Sequence, residues 1–320
     1  MARHLIIDTD TASDDAVALV MALRYPGVQV EAITTVAGNV PVEQATQNAL
    51  YTLELCGGRT PVYQGASRPL LRPLFTAQFV HGQDGMGDIG LPVRGRTPAS
   101  GDGVAALIEA IRRFAGQVTL VTLGPLTNVA LALRQEPSIV EQVERCVVMG
   151  GVGRGLGNIT PVAEYNIWVD PEAARIVFEA GLRLTMVGID VSHGAAVFTP
   201  DEAAQLRAAG GPLAEFCVDI QACLQRFTVG KLRLAGFDLP DPVTMAVALD
   251  PGVVTQQKRL HVAVETGSEL CRGQTVVDHL GVTGNAPNVD VVLEASRERF
   301  LRILYDAVRE TLPKGAHPES

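Results

Sequence analysis

Short apolar runs alternate with amphipathic stretches from the start of the chain onward. Residues 4–8, 28–36, 118–123, 145–150 and 182–190 are dominated by Val, Ile and Leu and are too short for buried helices. Runs of this kind read as strands covered on both faces. Between them, residues 15–24, 42–56, 103–114 and 171–180 place apolar side chains three and four positions apart, the spacing of a helix with one buried face. The β-α-β-α order predicts an α/β fold: an open, mostly parallel sheet with helices on both faces, Rossmann-like in its layering.

Elsewhere the pattern weakens. Residues 64–100 contain four prolines and little periodicity, which predicts a long surface loop able to close over a site. Residues 200–241 read as mainly helical up to the break at Gly236-Phe237-Asp238-Leu239-Pro240. A last amphipathic helix is expected at 296–312, so that residues 1–312 form one domain and 313–320 a disordered polar tail. No internal repeat or low-complexity tract interrupts this order.

Composition narrows the function classes. With 320 residues, 47% of them hydrophobic, the chain can bury a large core. No apolar run approaches the roughly 20 residues of a membrane span, and Leu5-Ile6-Ile7 is too short for a signal-peptide core, so a cytoplasmic location is expected. A net charge of -9 without a basic stripe argues against a nucleic-acid partner. The five cysteines (Cys56, Cys146, Cys217, Cys223, Cys271) form no CxxC pair, which points to neither a disulfide framework nor a zinc site.

In parallel sheets, ligands bind beyond the carboxyl ends of strands. There the run Asp8-Thr9-Asp10-Thr11-Ala12-Ser13-Asp14-Asp15 places four carboxylates within eight residues. Like charges at close range raise one another's pKa, and a bound cation is the natural compensation. An all-oxygen donor set suits Ca²⁺ or Mg²⁺. Helix capping by Ser13 or Asp14, with Asp15 complementing the dipole, accounts for part of the cluster but leaves Asp8 and Asp10 unexplained. A phosphatase with Asp8 as nucleophile is a second alternative, because the start is DxDxT-like; it leaves the Asp14-Asp15 pair without a role.

The run DTDTASDD resembles the DxDxxxDD fingerprint of inosine-uridine nucleoside hydrolases. Further matches follow in order: Val36-Ala37-Gly38-Asn39, Val80-His81-Gly82-Gln83-Asp84-Gly85, Leu123-Gly124-Pro125-Leu126-Thr127-Asn128, Val147-Val148-Met149-Gly150-Gly151, Gly157-Asn158, Ala163-Glu164-Tyr165-Asn166-Ile167, Asp241-Pro242 and Thr275-Val276-Val277-Asp278. The resemblance covers nearly the whole chain. It implies the nucleoside hydrolase fold and a Ca²⁺ site made by Asp10, Asp15 and Asp241 with the Leu123 carbonyl. The water held there would attack the anomeric carbon, with Asp10 as general base. By the same resemblance Asp14, Asn39, Asn158, Glu164, Asn166 and Asp241 hold the ribose, with Met149 packed beside it. The implied substrate is a small nucleoside, and the implied assembly a homodimer or homotetramer.

Several of these residues have plainer explanations. Asn39 suits a strand-to-helix turn. Asn128 suits a helix start, Glu164 and Asn166 suit caps, and Asp241 before Pro242 suits an N-cap. The run from Gly150 to Gly157 fits no dinucleotide-binding register and reads as a flexible site loop.

One departure from the family pattern concerns the leaving group. Many members carry a histidine just before the late metal-binding aspartate, where this chain has Pro240. His81 is then the family-matched imidazole left for acid work. Asp238, Lys231, Arg226 and Arg233 fall where the base is bordered, and solvent exposure is expected for at least three of the four. Phe227 and Phe237 could stack on a base or fill the core, and His193 and His279 read as structural. Pro240 also motivates the alternative of a catalytically weak ribose- or nucleoside-binding protein, or of a hydrolase acting on another N-riboside.

Overall fold

The computed structural model describes residues 3–309; the expected tail at 313–320 and the last turn of the final helix lie outside them. Six parallel strands carry the architecture: β1 (Arg3–Thr9), β2 (Val28–Thr35), β3 (Val62–Gln64), β4 (Val118–Thr122), β5 (Val143–Met149) and β6 (Leu184–Val187). They lie in the order β3-β2-β1-β4-β5-β6, followed by Val289–Ala295 and then Val254–Leu260, which completes an eight-stranded sheet. Only the last pairing is antiparallel.

β1 shows why the apolar runs become central strands. Leu5 and Ile7 face one side of the sheet and Ile6 the other, and each joins a different buried cluster. Burying such a side chain stabilises the fold by about 1.5–3 kcal/mol, so a run with no polar face is held in the middle of the sheet. Helices α1 (Ser13–Arg24) and α2 (Val42–Leu55) cover the Leu5 face together with Pro240–Leu249 and Arg297–Val308. Helices α3 (Gln78–His81), α4 (Gly103–Arg113), α5 (Thr127–Gln135), α6 (Tyr165–Val169), α7 (Pro171–Glu179) and α8 (Ile189–Ala195) follow in the chain. Of these, α4, α5 and α7 cover the Ile6 face.

The chain adds β2 and β3 on one side of β1, then returns to add β4, β5 and β6 on the other. Strand order reverses between β1 and β4, and such a switch point leaves a crevice at the carboxyl ends of those strands. The four-carboxylate run and the Leu123–Asn128 turn both leave the sheet at that crevice.

Some boundaries differ from expectation. α1 starts at Ser13 instead of Asp15 and is buried from Ser13 to Ala22, because it is sandwiched between α2 and Pro240–Leu249. The run expected as one strand at 182–190 splits at Gly188 into β6 and α8. Residues 64–100 form the expected long surface connection, with one four-residue helix, α3; it folds over the strand ends with Val80, His81 and Met86 buried. The strand Val254–Leu260 has no apolar run to announce it: Thr255 to Arg259 are exposed at the sheet's outer edge. The opposite edge, β3, has three residues. All five cysteines are free. Among the described residues no helix is long and apolar enough to cross a membrane.

Candidate active site

The site grows from the turn between β1 and α1. Because α1 is buried on every side at its start, Asp14 and Asp15 enter the interior with it. Asp15 accepts from the Ala12 backbone N–H at 2.9 Å and from the Thr9 hydroxyl at 2.6 Å. It therefore satisfies one of the open donors of the helix start. Capping thus falls to Asp15, and neither Ser13 nor Asp14 supplies it. The Ser13 hydroxyl meets His81 Nδ1 at 2.9 Å instead.

Asp8 faces away from the crevice. It accepts from the Thr34 hydroxyl at 2.5 Å and from the Asn128 amide at 2.7 Å, with no solvent exposure. Burial pushes its carboxyl up to about 7. A carboxyl sealed in this way cannot attack a substrate, which removes the phosphatase alternative. Asn128, in the first turn of α5, also donates to the Thr35 carbonyl and accepts from Ala66 N–H, so it ties three segments together.

The remaining carboxylates converge. Oxygens of Asp14, Asp15 and Asp241 lie within 4.8 Å of one another. Asp10 belongs to the same electrostatic cluster, because after burial Asp15 is the main cause that raises its carboxyl, and Asp10 in turn raises Asp241. Burial, followed by Asp14, raises Asp15 to about 6, and burial raises Asp14 to about 6. One oxygen each of Asp10, Asp14 and Asp241 is buried without a hydrogen-bond partner. An unpartnered buried carboxylate oxygen is costly, and such oxygens within a cluster of buried carboxylates are matched by a hard cation. The donor set therefore fits the metal that the family resemblance implies.

Two glycines let the neighbouring turns approach Asp10. A methyl on Gly124 would sit 2.7 Å from Asp10 Oδ1, and one on Gly38 would collide with the same carboxylate. The Asn39 N–H, next in the chain, donates to Asp10 Oδ2 at 2.6 Å. The Leu123 carbonyl accepts from Asn166 Nδ2 at 2.8 Å, and the same amide lies 3.1 Å from Met149 Sδ.

A cleft opens over this floor. Asp14, Asn39, Leu123, Met149, Asn158, Glu164, Asn166 and Asp241 line it, as does His81; Asp10 and Asp15 sit beneath. Glu164 is both cap and lining: it accepts from the N–H groups of Asn166 (2.8 Å) and Gly151 (2.9 Å), and burial raises it to about 7. Asn158 Oδ1 accepts from Tyr165 N–H at 2.9 Å. Burial pushes His81 down to about 4, so its imidazole is neutral at pH 7 in the cation-free protein.

The glycine-rich loop after β5 is pinned at several points, contrary to the expected flexibility. Glu164 holds Gly151 N–H, Thr275 holds Val152 N–H at 2.8 Å, and Asp190 accepts from both Gly153 and Arg154 N–H at 2.8 and 2.9 Å. His279 reaches the Gly153 carbonyl at 2.8 Å, which makes it structural as expected.

The rest of the cleft wall comes from residues 189–240. Arg226, Lys231 and Arg233 are exposed, as expected for three of the four charged residues there, whereas Asp238 is 3% exposed and lines the cleft. Phe237 is core, stacked on Phe198. Phe227 faces the cleft and meets Phe79 edge-on, with ring centroids 5.7 Å apart. His193, read as structural, lines the cleft as well. Its only sequence signal was its place just past a strand end.

Comparison with known proteins agrees with this geometry. The family model described as inosine-uridine preferring nucleoside hydrolase matches residues 5–302. A pyrimidine-specific ribonucleoside hydrolase RihA of Salmonella agona (strain SL483) is 40% identical over 311 residues, which covers 97% of this chain and 99% of the relative. Among solved structures, a plant nucleoside hydrolase, PpNRh1, superposes with TM-score 0.90 at 32% identity, covering 97% of this chain and all of that one (100%). A purine-preferring ribonucleoside hydrolase from Gardnerella vaginalis gives TM-score 0.88 at 30% identity, covering 96% and 98%. With matches that span the chain in both sequence and fold, over a floor of converging carboxylates, the protein belongs to the inosine-uridine preferring nucleoside hydrolase family and is a hydrolase of N-glycosyl bonds.

Proposed function

We propose that the protein hydrolyses ribonucleosides to ribose and free base in a Ca²⁺-dependent reaction. The observation that carries this reading is the set of unpartnered oxygens on the buried carboxylates Asp10, Asp14 and Asp241, two of which, Asp14 and Asp241, line the cleft. Asp10, Asp15 and Asp241, with the Leu123 carbonyl, are the residues that would hold the cation. When bound, it would supply positive charge that makes a water easier to deprotonate and holds the ribose hydroxyls.

The chain's own groups do the rest. Asp10 takes the proton of the attacking water, since its Oδ1 lacks a competing partner and its Oδ2 is fixed by Asn39 N–H. Asp14, Asn39, Asn158, Glu164 and Asn166 hold the ribose hydroxyls, Asp241 reaches them beside the metal, and Met149 packs against the sugar. Glu164 places negative charge beside a sugar that becomes oxocarbenium-like as the bond to the base stretches. His81 faces the cleft next to Ser13 and makes contact with the bound nucleoside. Phe79 and Phe227 shield the base side from water. Uridine and cytidine are the preferred substrates in this reading, supported by the pyrimidine-specific relatives. The enzyme works in the cytoplasm as a homodimer or homotetramer, a state that light scattering measures.

The test is ribose release from uridine, cytidine, inosine and adenosine by protein supplied with Ca²⁺. Asp10→Ala is expected to lower kcat/KM by roughly 10²–10⁴-fold, the usual contribution of a general base, and a chelator to abolish release. Protein that leaves all four nucleosides intact sinks the proposal.

A further inference from the structure

We propose that the His193 imidazole delivers the proton to the departing base and that Asp238 positions it, an inference that rests on the hydrolase reading above. A departing base needs a proton on a ring nitrogen or carbonyl oxygen, and Pro240, which lines the cleft, has none to give. Two imidazoles line the same cleft. His81 directs Nδ1 to the Ser13 hydroxyl and lies 3.7 Å from Asp14, on the sugar side. His193 lies beside Asp238 instead, in the cleft that Pro240 also lines.

The geometry around His193 is that of a held proton donor. Its Nε2 is 3.4 Å from Asp238 Oδ2, which leaves the other ring nitrogen for a ligand. Asp238 cannot swing away, because Oδ2 accepts from the Ser192 hydroxyl at 2.7 Å and Oδ1 from Leu239 N–H at 3.0 Å. The Asp238 side chain is 5% exposed and that of His193 is 32% exposed, so the carboxyl is the buried anchor and the ring is the accessible partner. α8 itself is fixed where Asp190 grips the loop after β5.

Burial raises Asp238 to about 7 and lowers His193. The charged groups around the pair are Asp190 on α8 and Asp14 on α1, with Asp241, at the start of Pro240–Leu249, in the same cleft and Arg297 at the end of α8. The Arg297 guanidinium is engaged by the Ala195 carbonyl and Glu202. In the reaction the C1′–N bond breaks and its electron pair leaves with the base. His193 gives its proton to the base, water oxygen bonds to C1′, and Asp10 takes the water proton. Both groups then exchange with solvent, so the balance is nucleoside plus water to ribose plus base.

The experiment compares nucleosides with p-nitrophenyl riboside, whose leaving group departs as a stable anion and needs no proton. His193→Ala and His193→Gln are each measured on both substrates, with thermal melts to verify folding. The expected result is a loss of roughly 10²-fold or more in kcat/KM on the nucleoside, and a loss at least tenfold smaller on p-nitrophenyl riboside. Asp238→Asn should lower kcat with little change in KM and move the alkaline limb of the kcat profile to lower pH, because the carboxylate no longer favours the protonated ring. Equal losses on both substrates, no loss on either, or the differential loss appearing in His81→Ala instead, each overturns the assignment. Wild-type protein inert toward both substrates overturns the hydrolase reading, and this inference with it.

Discussion

The two sides of the cleft are built differently. The sugar side is a floor of carboxylates and amides on strand ends and buried helix starts, where Asp10, Asp15 and Glu164 are held by backbone hydrogen bonds of 2.6–2.9 Å. The base side is assembled from short helices between Ile189 and Leu232, a π turn at Thr228–Leu232, and Pro240. Rigid strand ends suit recognition of an invariant sugar and the placement of a general base. Short elements tolerate change, so base preference and leaving-group chemistry can vary without disturbing the floor.

That contrast breaks most visibly if the floor does not depend on a cation. In the cation-free protein Asp14 and Asp15 titrate near 6 and Glu164 near 7, all above their unfolded values. The folded state then binds protons more tightly, so their contribution is present below about pH 4 and is lost as pH rises from about 4 to 7. Melting in chelator should therefore fall across that window, and Ca²⁺ at 100 times its Kd should restore about 2.7 kcal/mol at pH 7.5. A Tm insensitive to both pH and Ca²⁺ would remove the cation from the floor.

A smaller effect sharpens the base side. Phe227→Ala removes an aromatic contact worth about 0.5–1.5 kcal/mol, so KM should rise roughly two- to twelvefold and shift unequally between pyrimidine and purine nucleosides, with product ribose binding unchanged. Uniform weakening of nucleosides and ribose would place Phe227 on the sugar side. The smallest expected effect belongs to Thr34→Val, which deletes one hydrogen bond to Asp8. It should cost about 1 kcal/mol in chemical denaturation and leave kcat/KM within roughly twofold, because Asp8 fastens the sheet and touches no substrate.

The same division governed what could be read from residues alone. The strands β1, β2, β4 and β5 and the acidic turn were legible because burial on both faces leaves unbroken apolar runs, and because four carboxylates in eight residues have few explanations. Asp8 shows the limit: its chemistry looked the same as that of Asp10, and only the partners Thr34 and Asn128 separate a fastener from a base. His193 and Asp238 are 45 residues apart, as their numbers show, and neither sits in a recognisable spacing. Their pairing depends on how α8 packs against Pro240–Leu249, which no local pattern encodes. Val254–Leu260 escaped notice for the opposite reason, since its neighbour buries little of it and its side chains can be polar.

That polar strand also limits how copies of the molecule can come together. One rim of the sheet presents Lys258 and Arg259 to water, and the other offers only the three residues of β3. A chain that tried to extend the sheet would have to strip solvent from fixed charges on one side and would find almost no backbone to pair with on the other. Whatever assembly the protein forms in a crowded cell must therefore join through helices and loops, and ribbon-like growth is closed to it.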